Sequence, residues 1–116
     1  MRREDDYWTI EFGGQTCRLR DTKGLRYLAT LLRRPHEPLA ALVIERGVAV
    51  GELAADYGAA ERARINVTRA LNGAIRRLDA FNPALVHHLR ATLRTGAQCL
   101  YTPDPRVPIT WEIPGD

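Results

Sequence analysis

Only one lysine, Lys23, stands among the 17 basic residues of this chain, and 116 positions hold just two cysteines and one methionine. Cys17 and Cys99 lie far apart, with no CxxC pair and no Cys/His cluster, so spacing supports neither a zinc site nor a disulfide framework. Both read as small apolar fillers on strands. Long apolar runs are missing too: Leu39 to Ile44 is the longest nearly unbroken one, far short of the roughly 20 residues that a spanning helix needs. The first residues, Met1-Arg2-Arg3-Glu4-Asp5-Asp6, have no apolar stretch behind them. The expectation is therefore a chain that neither spans a membrane nor is exported, with the cytoplasm, at the nucleoid, as its location. No HExxH, nucleophile elbow, Gly-rich phosphate loop or spaced carboxylate pair occurs. His87 and His88 are adjacent and would point about 100° apart on a helix, which prevents joint chelation of one ion. Neither catalysis nor a cofactor nor a metal is expected, and both histidines read as surface or partly buried.

What is present suits one globular domain. Hydrophobic residues make up 45% and charged residues 27% of the chain, which argues against disorder or a fibrous rod, and the length supports a single modest core. Residues 1–116 are read as one domain. Within it lie a disordered tail over 1–6, a connection over 47–58 and a Pro-rich loop over 103–108.

Tyr7 to Phe12 and Gln15 to Arg20 alternate as strands around Gly13-Gly14, a pair able to take the positive φ angles of a tight hairpin turn. Asp21 or Thr22 can cap a helix in which Leu25, Leu28, Ala29 and Leu32 form one apolar stripe, ending before Pro35. An extended piece over 37–41 and a short turn over Leu42–Arg46, closed by Gly47, follow. The strongest helical signal runs from about Ala59 to Phe81, where Val67, Ala70, Leu71, Ala74, Ile75 and Leu78 trace a buried stripe. Asn82-Pro83 caps another helix, Pro83 to Arg94, with Leu85, Val86, Leu89 and Leu93 on its apolar face. A hairpin about Gly96 joins Ala91–Thr95 to Gln98–Thr102. Ile109 to Ile113 reads as a last strand able to pair with Tyr7 to Phe12, which would put Trp8 and Trp111 in the core rather than on a stacking platform. The fold class is α+β.

Net charge is only +3, but its distribution is uneven. Residues 1–60 carry nine basic and nine acidic side chains, whereas residues 61–94 carry seven arginines against Glu61 and Asp79. GC-rich coding DNA also enriches arginine and alanine, so the count alone says little; the clustering says more, because a local positive field attracts polyanions. Opposite the apolar stripe of the long helix stand Arg62, Asn66, Arg69, Gly73 and Arg76, with Arg77 at the edge. Arginine can contact guanine or phosphate with two donors, and asparagine can do the same for adenine. Glycine in mid-helix costs about 1 kcal/mol relative to alanine, a penalty that calls for tight packing or for close approach of another backbone. The bland alternative is that any helix with an apolar face has a polar one.

Leu19 to Leu28, Leu31 to Leu39, Val67 to Leu78 and Arg94 to Tyr101, taken together, resemble the winged-helix DNA-binding domains of OmpR-class response regulators and related antibiotic-pathway regulators. The run Arg94-Thr95-Gly96-Ala97-Gln98-Cys99-Leu100-Tyr101-Thr102-Pro103-Asp104-Pro105 is similar to the C-terminal domain of large multidomain actinobacterial regulators. The resemblance implies a winged helix-turn-helix: an N-terminal β-hairpin, three to four helices and a C-terminal wing hairpin. It implies sequence-specific double-stranded DNA binding in transcriptional regulation, the helix of about 59–81 in the major groove and the wing of about 94–102, with Thr95-Gly96 at its tip, on the backbone or minor groove. Arg90 and Arg94 would add phosphate contacts. The chain departs from that pattern in the full helix before the wing and in a weak second helix. A winged helix serving protein contact, or sensing a phosphorylated small-molecule effector, is the alternative. A homodimer and a larger regulatory protein remain open as partners.

Overall fold

A computed structural model describes residues 1–47, 57–107 and 109–114, with the backbone alone for Tyr57. Alternation builds the N-terminal sheet. Strands β2 (Tyr7–Phe12) and β3 (Gln15–Arg20) pair antiparallel from Tyr7↔Arg20 to Phe12↔Gln15. Gly13 (φ 60°) and Gly14 (φ 79°) make the turn between them, the left-handed geometry that matches strand twist in a two-residue hairpin. Trp8, Ile10, Cys17 and Leu19 face the core; Tyr7, Glu11, Arg18 and Arg20 face outward, with the Arg18 guanidinium 4.9 Å above the Tyr7 ring.

Two expectations fail at this sheet. Residues 2–4 do not belong to a disordered tail: Arg2–Glu4 is strand β1, antiparallel to β2, and the Met1 side chain is buried. Residues 109–113 form no strand and do not pair with β2. The two corrections share a cause, since β1 takes the β2 edge that a C-terminal strand would need. The C-terminal segment instead meets Met1 and the end of β2: the Glu112 carbonyl accepts from the Met1 nitrogen at 3.1 Å, and the Trp111 ring stacks on Phe12.

Thr22 caps helix α1 (Lys23–Leu32), its hydroxyl accepting from the Leu25 amide at 3.2 Å. Asp21, the other capping candidate, accepts instead from the Trp8 indole at 2.8 Å. After α1 the chain passes through His36 (φ 64°) into β4 (Leu39–Ala40) and α2 (Ala41–Arg46), and α2 closes on left-handed Gly47. The segment read as a connection lies outside the described residues over 48–56. The next helix, α3 (Tyr57–Asp79), has already begun at its last two positions.

Helix α3 is the spine of the molecule and packs against α1, α2 and α4 (Pro83–Thr92). Ala63, Val67, Leu71, Ala74 and Leu78 give it a fully covered side. Its crossing with α1 is so close that a Cβ on Gly24 would lie 2.2 Å from the Ala70 carbonyl oxygen. Asn82 is only 1% exposed and does two tasks. Its Oδ1 accepts from the Leu85 amide at 3.1 Å, capping α4, and its Nδ2 donates to the Phe12 carbonyl at 3.0 Å, tying that cap to β2. Helix α4 ends at Thr92, earlier than the expected Arg94, because Leu93–Arg94 is already strand β5. Strand β5 pairs with β6 (Gln98–Tyr101), and β6 pairs with β4, giving the order β4-β6-β5. The result is an α+β architecture of four helices and two small antiparallel sheets. Among the described residues no helix is long and apolar enough to cross a membrane.

Candidate functional site

At about 1.5 Å per residue, the 23 residues of α3 form a rod of roughly 34 Å. One side is fixed in the core, so the opposite side is set in space by three packed helices rather than by its own flexibility. On that side Arg62, Asn66, Arg69, Arg76 and Arg77 are all exposed and Gly73 is half-buried. Sequence reasoning therefore placed these six residues on the outward side. Among the described residues no carboxylate pairs with Arg69, Arg76 or Arg77. Arg76 and Arg77 occupy the last turn of α3, where a cation also interacts favourably with the helix dipole.

The expected members are not equivalent. Asn66 donates to Glu45 Oε2 of α2 at 3.2 Å, so its amide is already engaged at the flank nearest that helix. Arg64, which the helical pattern did not single out, is held by Glu61: its Nε donates to both carboxylate oxygens at 3.1 Å. That hydrogen bonding holds the Glu61 carboxyl below its usual range. Among the described residues Gly73 has no packing reason, since a Cβ there would meet nothing within 4 Å.

Four contributors, Arg64 among them, escaped the sequence reading. A shallow depression of about 360 Å³ on α3 is lined by Arg64, Ile65, Thr68, Arg69, Asn72 and Arg76. Ile65 was passed over because an apolar residue reads as core, yet it is 40% exposed. Asn72 is exposed and Thr68 half-buried. The signal of Ile65 and Asn72 was available in the spacing, because Ile65, Arg69, Asn72 and Arg76 fall at i, i+4, i+7 and i+11, a helical stripe in its own right.

The β5–β6 hairpin presents Arg94 and Thr95 to solvent, with Gly96 half-buried at φ 154°, a conformation suited to glycine. The hairpin is anchored rather than free: the Ala97 carbonyl accepts from the Ala41 amide at 3.0 Å, at the start of α2. Arg90 is exposed on α4. Among the described residues no hydrogen bond or ion pair joins Arg90, Arg94 or Thr95 to the α3 set, so these residues form a second group.

Elsewhere the chemistry is sparse. His87 is exposed, while His88 is half-buried in an aromatic cluster, its ring stacked on Phe12 with centroids 5.3 Å apart. Its Nε2 lies 2.7 Å from the Tyr101 hydroxyl, which also accepts from the Trp111 indole at 3.0 Å. Desolvation, with a smaller effect from His87, pushes the His88 pKa below its ordinary value. Burial pushes the Cys17 and Cys99 thiols up, which favours the unreactive form. A depression of about 510 Å³ between β1–β2 and residues 110–114 is lined by Arg2, Thr9, Glu11, Thr110 and Glu112 among others. Among the described residues no group of three or more His, Cys, Asp or Glu could hold a metal.

No family model, curated protein or solved structure matches the chain. The functional reading therefore rests on the geometry of α3 and the hairpin.

Proposed function

We propose that this chain binds double-stranded DNA with sequence preference, as a winged-helix module of transcriptional regulation. Helix α3 would enter the major groove. The β5–β6 hairpin would act as the wing, with Thr95-Gly96 over the backbone or minor groove. Arg90 and Arg94 would contact phosphates. The likeness to OmpR-class effector domains and to the C-terminal domains of large actinobacterial regulators belongs to this proposal.

One observation carries it: a rigid helix exposes Arg62, Arg69, Arg76 and Arg77 along one side, and no carboxylate among the described residues neutralises the last three. An unneutralised row of guanidinium groups on a preorganised rod suits a polyanion, and a helix fits the major groove. The open Gly73 backbone supports the reading, since it allows close approach where a side chain would stand off.

The test is a fluorescence titration of random and genomic duplex fragments at several salt concentrations. Affinity should fall steeply with salt, and some genomic fragments should bind well above random duplex. Arg69→Ala and Arg76→Ala should each weaken binding by about 1 to 3 kcal/mol if they reach base edges. Unchanged binding in both variants would remove the groove assignment.

A further inference from the structure

The depression on α3 has a composition that phosphate contact does not explain. Its basic rim is Arg64, Arg69 and Arg76, but Ile65 is apolar and 40% exposed, and Thr68 lines the same hollow. The Thr68 hydroxyl is buried without a hydrogen-bond partner, which leaves the methyl as the group that side chain can offer outward. An exposed isoleucine in an arginine stripe adds nothing to polyanion affinity. It makes sense if the hollow receives a small apolar group carried by an otherwise polar, anionic ligand.

Resting on the duplex reading above, we infer that Ile65 and the Thr68 methyl form a subsite for the 5-methyl group of thymine, making Ile65 a specificity-determining residue. The thymine methyl is the one apolar group on a base edge in the major groove, and aliphatic side chains are its usual contacts. The neighbours supply the rest of a code. Arg69 lies one turn on, roughly 6 Å along the axis, close to the rise of two base pairs, and suits guanine. Asn72 suits adenine. Neither Arg69 nor Asn72 has a partner that would occupy its donors among the described residues.

The experiment selects duplexes from a randomised pool on the wild-type chain, then replaces each thymine of the enriched site singly by deoxyuridine, which lacks only the methyl. At one position deoxyuridine should weaken wild-type binding about fourfold, the worth of one buried methyl-sized group. Ile65→Ala should bind the thymine site more weakly and no longer distinguish thymine from deoxyuridine there. Its melting temperature should match the wild type, since Ile65 is outside the core. Enriched duplexes that bind with no thymine preference, or Ile65→Ala retaining the full preference, would overturn the subsite while leaving duplex binding intact. A pool that yields no enriched, salt-sensitive duplex would overturn both, and would leave Ile65 among arginines as a protein-contact feature.

Discussion

Two glycines on facing helices carry opposite demands. At Gly24 the nearest obstacle is the backbone oxygen of Ala70, which cannot move without displacing α3. Gly24→Ala should therefore destabilise the fold by about 1 to 3 kcal/mol, the range for overpacking a tight contact, measured by urea denaturation. Nothing among the described residues would meet a Cβ on Gly73 within 4 Å, so Gly73→Ala should stabilise the chain by about 1 kcal/mol through helix propensity. The same variant should bind duplex more weakly, because the added methyl keeps the partner off the backbone. Gain of stability with loss of affinity would mark Gly73 as held for binding; gain of stability with unchanged affinity would leave its cost unexplained by contact. The sequence showed that Gly73 is unusual in mid-helix. It could not show that Gly24, rather than Gly73, meets another helix, because that depends on which turns of α1 and α3 touch.

Helix caps show how local and long-range roles combine in one residue. Thr22→Ala removes a single capping bond to the Leu25 amide and should cost about 1 kcal/mol. Asn82→Ala removes a comparable cap and also leaves the Phe12 carbonyl without its Asn82 donor. Its cost should reach about 2 kcal/mol, the cap plus one further side-chain hydrogen bond. Equal losses for the two variants in thermal or urea melts would show that the Asn82–Phe12 bond contributes nothing. The caps, the Gly13-Gly14 turn, and the extents of α1 and α4 were legible to within a few residues because each depends on neighbours in sequence. For α3 the buried stripe was legible as well. Its outward stripe was read incompletely: the named residues do lie off the core, but Asn66 touches Glu45 of α2, and Ile65 and Asn72 share the open side with Arg69 and Arg76.

Across the whole molecule, His88 joins parts distant in sequence. It stacks on Phe12 at the end of β2, faces Tyr101 of β6, and reaches Trp111 through the Tyr101 hydroxyl. Phe12 also stacks on Trp111. In this arrangement a neutral His88 can accept from Tyr101, and its folded pKa lies below the ordinary value of about 6.5. The sign follows from proton counts. Below about pH 6.5 the unfolded chain takes up a proton at this position that the folded chain resists, so the stability present above that pH is lost as pH falls towards and through the lowered value. Urea midpoints at pH 7.5 and 5.5 should show wild-type stability dropping on acidification. His88→Gln should show a smaller drop, whatever its absolute stability. An identical pH dependence in the two proteins would mean that His88 is not the titrating group.

Sequence alone determined the local grammar of this chain: where helices begin, where the first hairpin turns, which side of the long helix is apolar, and that arginine gathers between positions 61 and 94. Those features follow from backbone propensities, caps and periodicity, which act over a few residues. Only the tertiary structure decided that Arg2–Glu4 occupies the sheet edge to which residues 109–113 had been assigned, that Gly24 is the close contact, and which α3 side chains stay uncovered. Edge pairing and helix crossing are competitions between segments far apart in the chain, and their outcome depends on which surfaces fit together in space.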